Sequence, residues 1–205
     1  MRSAILYDFL APVYGRVLAP LQELAVSRAA ERALGGWPST VLEVGVGPGR
    51  GLVQLAQPTR LVVGVDLSRQ MLGLAANRLR AEHLEARLAR ASVLQLPFRS
   101  NRFDAVLSTF VLDLLDEADL PLALTELARV ATGGGRLVLG IMELPNKLAE
   151  LAWMMAYRSA PELVGRCRPV RLEDYLPASG LRMIREEHVP GLIGARLLTL
   201  VKALG

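Results

Sequence analysis

The chain contains a stretch V41-L-E-V-G-V-G-P-G-R50, followed after a short spacer by V62-V-G-V-D66-L-S-R. An apolar run carries Glu43 near its end and leads into Gly45, Gly47 and Gly49. A second apolar run then ends in Asp66. The order is strand, glycine turn, helix, strand, acid. Glycines at such a turn let the backbone bend sharply and approach a ligand that a Cβ would push away. An acid ending the second strand points where ribose hydroxyls need an acceptor. The spacing is informative because a dinucleotide fingerprint reads G-x-G-x-x-G, whereas the position that pattern requires after Gly45 and Gly47 is Arg50. No G-K-[ST] follows that would make a phosphate loop. A pyrophosphate cradle is disfavoured, and with it a nicotinamide dehydrogenase. A nucleoside with a small zwitterionic tail fits.

Further along stand L96-P-F-R-S-N-R-F-D104-A-V and L127-A-R-V-A-T-G-G-G-R-L-V138. With the two earlier motifs, and in the same order, they resemble the class I S-adenosylmethionine-dependent methyltransferases, in the branch of the ubiquinone and menaquinone enzymes. The resemblance runs from about Tyr7 to the C-terminus. It implies a Rossmann-like α/β three-layer sandwich whose seven-stranded sheet is parallel apart from one antiparallel strand. It also implies S-adenosyl-L-methionine as cofactor and methyl transfer as activity. The V-L-E-V-G-V-G spelling is also similar to soluble bacterial phospholipid N-methyltransferases.

Composition bounds the reading. A chain of 205 residues suits one domain with a substantial core, and 52% hydrophobic residues suit a buried parallel sheet. We divide it into an N-terminal helical segment (1–36), a cofactor-binding core (37–142) and an acceptor-side insert with closing strands (143–205). No apolar stretch approaches the roughly 20 residues of a spanning helix. Asp8 interrupts the apolar N-terminal stretch, which is read as part of the mature protein rather than a signal peptide. The single cysteine, Cys167, makes an internal disulfide framework or a cysteine-based zinc site impossible within one chain, and no metal is expected. A cytoplasmic location is expected. The net charge of +4 rests almost wholly on arginine, with Lys147 and Lys202 the two lysines, and no nucleic-acid motif accompanies it.

Apolar periodicity predicts a helix over 21–34, strands over 41–46, 61–65, 86–91, 103–109 and 136–141, and helices over 69–80 and 120–130, the last stopping at Gly133 to Gly135. Beyond Ile141 it predicts a helix over 148–157, a short one over 171–177, and a closing hairpin of strands 181–189 and 195–202.

The resemblance implies a role for each residue at the strand ends. Gly45, Gly47 and Gly49 shape the turn at the methionyl part of the cofactor, and Glu43 supports its amino group directly or through water. Asp66 accepts from both ribose hydroxyls. Leu67 and Val93 sandwich the adenine, and Thr109 and Phe110 close over the methionyl end. Ser92 stands where the family usually carries an acid facing the adenine amino group, and a neutral hydroxyl makes a weaker bond there. Asp113 replaces a histidine common in relatives, and Gly15 an acid of the N-terminal element. The candidates for removing an acceptor proton are Asp113, Tyr14, Tyr7 and His188, with Asp113 and Tyr14 preferred. His83 is expected on the surface.

An N-terminal lid (Ile5, Leu6, Phe9) and the insert (Trp153, Met154, Met155, Tyr157) are expected to supply an apolar acceptor pocket, with Arg158, Arg166, Arg168 and Arg171 nearby in sequence. Those features suggest a lipophilic acceptor: a quinone precursor, a phospholipid or an acidic aromatic metabolite. The bland alternative is a covered sheet edge with solvated arginines. The other class of function is a regulatory module that binds S-adenosylmethionine without turnover. Peripheral contact with a membrane surface, and a monomer or homodimer, are compatible with the sequence.

Overall fold

The computed structural model describes residues 22–191 and 193–203. The N-terminal candidates Tyr7 and Tyr14, the proposed lid residues Ile5, Leu6 and Phe9, and Gly15 lie outside the described residues.

Seven strands form one sheet: β1 (Thr40–Val44), β2 (Leu61–Asp66), β3 (Arg87–Arg90), β4 (Phe103–Thr109), β5 (Ala131–Glu143), β6 (Leu181–Val189) and β7 (Gly194–Lys202). Their spatial order is β3-β2-β1-β4-β5-β7-β6. Strands β1 to β5 pair in parallel, and β7 runs antiparallel to both β5 and β6. The winding direction reverses between β1 and β4, which opens a crevice beyond their carboxyl ends.

The helices are α1 (Glu23–Leu34), α2 (Arg50–Ala56), α3 (Arg69–Ala81), α4 (Leu120–Val130), α5 (Lys147–Ser159) and α6 (Leu176–Ser179). Alternate residues of the central strands feed two cores. Val41, Ala105, Leu107 and Val138 meet the alanine face of α1 (Ala25, Ala29, Ala30, Ala33) with Leu52, Leu55 and Leu79. Leu42, Val106, Leu137 and Leu139 meet Leu120, Leu124 and Leu127 of α4. Two buried faces are why the strands read as continuous apolar runs.

Two family motifs turn out to fasten the fold. Asp104 Oδ2 accepts from the Ser39 and Thr40 amides at 3.0 and 2.9 Å and from the Thr40 hydroxyl at 3.0 Å, so it ties β4 to the entry of β1. The Leu96–Phe98 loop is held by α4: Glu126 accepts from the Leu96 amide at 2.9 Å, and Arg129 donates to the Leu96 and Phe98 carbonyls. Phe98 then meets Phe103 edge-to-face, with ring centroids 5.1 Å apart. This anchoring fixes the segment Ala91–Leu94 just upstream.

Two elements differ from the sequence reading by more than two residues at a boundary. Strand β5 starts at Ala131, because the glycine run is absorbed within the strand: Phe103 pairs with Ala131 and Ala105 with Arg136, an irregularity that leaves the intervening β5 residues bulged. In place of the short helix expected over 171–177, the helix runs over Leu176–Ser179. Leu172 and Leu176, buried against the α4 core, hold the preceding residues in turns.

Candidate active site

The crevice is built from three strand ends. After β1, the Gly45 and Val46 amides both donate to the Val65 carbonyl, at 2.8 and 3.1 Å, so the turn hooks over β2. Gly45 has φ +79°, and a Cβ there would collide with Val111 Cγ2. Gly47 has φ +49°, and a Cβ there would meet nothing within 4 Å. The first glycine is thus demanded by packing, and the second leaves space facing the crevice. Gly49 has a different task. It sits at the N-terminus of α2 with φ +82°, where a Cβ would lie 2.8 Å from Ala75 Cα. Its bareness lets α2 and α3 approach, and it does not line the crevice.

Asp66 closes β2 with both carboxylate oxygens engaged by backbone. Oδ2 accepts from the Gly47 amide at 2.9 Å and Oδ1 from the Ser68 amide at 2.8 Å. A carboxylate offers about four acceptor sites, so this aim is compatible with accepting from a diol as well. Ser68 Oγ caps α3 by accepting from the Met71 amide. Leu67 is held by Arg90 Nε, which donates to its carbonyl at 2.8 Å. Across the crevice, Ser92 Oγ accepts from the Leu94 amide at 3.2 Å.

After β4, Phe110 adopts φ +57° while its amide donates to the Gly140 carbonyl at 2.8 Å. A left-handed conformation is costly for a bulky residue and persists only where its surroundings impose it. It turns the chain into Val111–Leu115, which forms the far wall.

These pieces enclose a cavity of about 560 Å³. One end is lined by Gly45, Gly47, Asp66, Leu67, Ser68, Met71 and Ala91–Leu94. The other is lined by Leu114, Leu115, Asp116, Asp119, Tyr157 and Arg166, with Thr109, Phe110 and Val111, the last packed against Gly45, between the two ends. Of the expected cofactor residues, Gly45, Gly47, Asp66, Leu67, Ser92, Val93, Thr109 and Phe110 converge on this space.

Glu43 faces a narrow adjoining recess with Gly45, Gly47, Arg50 and Gly51. It is 2% exposed, and its Oε2 has no hydrogen-bond partner among the described residues. Burial, and then the charge of Asp66, push its carboxyl well above the usual carboxylate range. An unpaired buried carboxyl is unfavourable until a cation arrives. Beside two glycine amides, that environment suits an ammonium group on a ligand's tail. The residues present therefore fit S-adenosylmethionine: an acid at the ribose position, apolar walls for adenine, and an orphaned carboxyl for the amino group.

Asp113 lies behind the cavity. It is fully buried, both its oxygens accept from the Met142 amide at 3.1 Å, and its own carbonyl accepts from the Arg168 amide at 3.0 Å. Burial raises its carboxyl to about 8, against the lowering effects of the Met142 amide and the Arg168 charge. Of the acceptor-side residues read from sequence, Tyr157 and Arg166 reach the cavity. Arg166 is also paired with Glu162 at 2.7 Å. Trp153 faces inward, its Nε1 donating to the Cys167 carbonyl at 2.8 Å, while Met155 is exposed. Arg158 and Arg171 are exposed, and Arg168 Nη2 donates to the Leu115 carbonyl at 3.3 Å. His188 is exposed at the Glu143 carboxylate, 2.8 Å away, on the edge strand β6, and His83 is exposed beyond α3. Leu114, Leu115, Asp116 and Asp119 were not legible as site residues, because the segment after β4 carries no motif.

Residues 41–135 match a family model described as a methyltransferase domain. Over those residues the chain carries a methyltransferase domain. It is 38% identical over 120 residues to a demethylmenaquinone methyltransferase of Thermus thermophilus, covering 58% of this chain and 53% of that protein. To the demethylmenaquinone methyltransferase of Deinococcus radiodurans it is 36% identical over 147 residues, covering 68% and 59%. The matched stretch thus spans between half and two thirds of these relatives' own length. Among solved structures, the Synechocystis magnesium protoporphyrin IX methyltransferase with bound S-adenosylhomocysteine superposes with a TM-score of 0.72 at 19% identity, covering 89% of this chain and 84% of that one. The cyclase SpnF superposes with 0.75 at 17% identity, covering 98% and 95%. At such identities these two likenesses show the fold.

Proposed function

We propose that the protein transfers a methyl group from S-adenosylmethionine to a small lipophilic acceptor of the quinone-precursor class. The observation that carries this reading is one cavity with two unlike ends: a nucleoside end built on Asp66, and an acceptor end where Leu114, Leu115 and Tyr157 stand beside the charged Asp116, Asp119 and Arg166. Its volume lies within the roughly 300–1,000 Å³ of small-molecule sites. The relatives' name, demethylmenaquinone methyltransferase, favours a quinone ring over the other lipophilic acceptors.

When bound, S-adenosylmethionine supplies an electrophilic methyl group on a sulfonium centre. The chain's contribution is placement. Asp66 holds the ribose, Leu67 and Val93 flank the base, and Glu43 receives the ammonium, which fixes the tail within the Gly45–Gly47 turn. Phe110 and Val111 stand between the two ends. Alignment of an acceptor with the methyl group is worth roughly 7–11 kcal/mol where the geometry is ideal, so a strong base is not essential. The carboxylates of Asp116 and Asp119 are the groups in the acceptor end able to receive a proton, and the Tyr157 hydroxyl can hydrogen-bond the acceptor. We assign Asp113 to positioning: from behind the wall it joins β5 to the segment carrying Leu114 and Leu115.

The burial of Asp113 away from the cavity also favours, as a second reading, a module that binds the cofactor without turnover. Labelled methyl from S-adenosylmethionine, incubated with the protein and a demethylmenaquinone, separates the two. Transfer into the quinone supports the enzyme. Tight cofactor binding with no labelled product in quinone, phospholipid or whole-extract fractions supports the module.

A further inference from the structure

Helix α5 has two unlike faces. Its inner face carries Trp153, bonded to the Cys167 carbonyl, and Tyr157, which lines the acceptor end of the cavity. Its outer face carries Leu148, Leu151 and Met155, which are 76%, 60% and 63% exposed. At about 100° per residue these three fall within one stripe, with Ala152 and Ser159 beside them. Lys147 and Arg158 lie within about 40° of Leu151 on its flank, and both are exposed. The acid of this helix, Glu150, stands about 100° from Leu151, towards the inner side. The outer face is therefore apolar and basic, with no acidic side chain on it among the described residues. The start of the helix is fixed by its Asn146 cap, which accepts from the Ala149 amide at 2.9 Å, and Trp153 Nε1 ties the helix to the Cys167 carbonyl at 2.8 Å.

Large apolar side chains held in water beside cations, with no acid among them, complement an anionic lipid surface: the apolar groups enter the acyl boundary while the cations meet headgroup phosphates. We propose that the outer face of α5 docks on an anionic membrane surface, bringing the acceptor end of the cavity to the lipid from which an apolar acceptor is drawn. The purpose rests on the proposed lipophilic acceptor. The docking itself does not, because lipid binding is measurable without cofactor or acceptor.

The test is flotation of the full chain with vesicles of phosphatidylglycerol and phosphatidylethanolamine, and with phosphatidylcholine vesicles. The wild type is expected to float with the anionic vesicles and much less with the neutral ones. The double variant Leu151→Glu/Met155→Glu is expected to lose binding at least tenfold while still binding S-adenosylhomocysteine, since neither side chain lines the cavity. Lys147→Gln and Arg158→Gln are each expected to weaken anionic binding roughly fivefold, the equivalent of about 1 kcal/mol per basic residue. Failure of the wild type to float, or flotation unchanged in the double variant, overturns the proposal. So does a dimer in sedimentation that the double variant dissociates, because the face would then join two copies. Flotation without methyl transfer would sink the enzyme reading and leave the docking surface intact.

Discussion

Asp66 Oδ2 accepts from the Gly47 amide at 2.9 Å, so the acid ending β2 and the glycine turn after β1 form one structural unit. The residue proposed as the ribose acceptor also sets the shape of the turn proposed to receive the rest of the cofactor. Two glycines of that turn are expected to fail differently. Gly45→Ala drives a methyl into Val111 at a positive φ, and should cost about 2–4 kcal/mol of stability. Gly47→Ala meets no neighbour and should cost about 1–2 kcal/mol from backbone conformation alone. Its larger effect should be on S-adenosylhomocysteine affinity. Urea unfolding and calorimetric titration of both variants check the contrast.

Glu43→Gln removes the carboxyl that an arriving ammonium would ionise in the recess beside the glycine turn. A charge-assisted bond contributes about 1.5–3 kcal/mol, so affinity for S-adenosylhomocysteine is expected to fall roughly 10- to 100-fold. An analogue of S-adenosylhomocysteine lacking the amino group should bind wild type and variant alike. If both ligands weaken equally in the variant, Glu43 acts on the fold rather than on the ammonium.

Asp113 predicts a pH dependence of stability. Its folded-state value, about 8, lies above the ordinary 3.8, so between those two pH values the folded chain holds a proton that the unfolded chain has released. Stability from this group is complete below the unfolded value and falls as pH rises, by up to about 1.4 kcal/mol per pH unit, until the folded value is passed. Glu43 contributes in the same direction. Asp113→Asn keeps an oxygen for the Met142 amide and removes the titration. Denaturant unfolding at about pH 5 and pH 8 should show wild type losing stability and the variant losing less.

Ser92→Asp restores the acid expected at that position. An aspartate can still accept from the Leu94 amide, as Ser92 Oγ does at 3.2 Å, while presenting a charged acceptor to the adenine amino group. Affinity for S-adenosylhomocysteine should rise several-fold, and a loss would place the adenine elsewhere.

The strands and the nucleoside end were legible because their signals are local. Apolar runs bounded by Gly45 and Asp66 need only the chain's own neighbours to be read. Asp104 was visible as part of a motif, yet its job, holding the Ser39 and Thr40 amides, depends on a residue 65 positions away in the chain. The glycine run Gly133–Gly135 reads as a loop by composition. It is a bulged strand because β4 offers a partner edge. Asp113 carries a titratable carboxyl, which marks a candidate base, but nothing in the sequence reveals that the Met142 amide and full burial turn it away from the cavity. Asp116 and Asp119 reach the rim only through two successive 3-10 turns, Leu112–Leu114 and Glu117–Asp119, whose placement is tertiary.

Calorimetric titration of S-adenosylhomocysteine and NAD into wild type and Asp66→Ala asks whether Asp66 makes the nucleoside end of the cavity an S-adenosylmethionine site. We expect affinity on the order of micromolar for S-adenosylhomocysteine, a loss of at least roughly tenfold in the variant, and no heat from NAD. Absence of S-adenosylhomocysteine binding by the wild type, or equal binding by Asp66→Ala, would contradict the account.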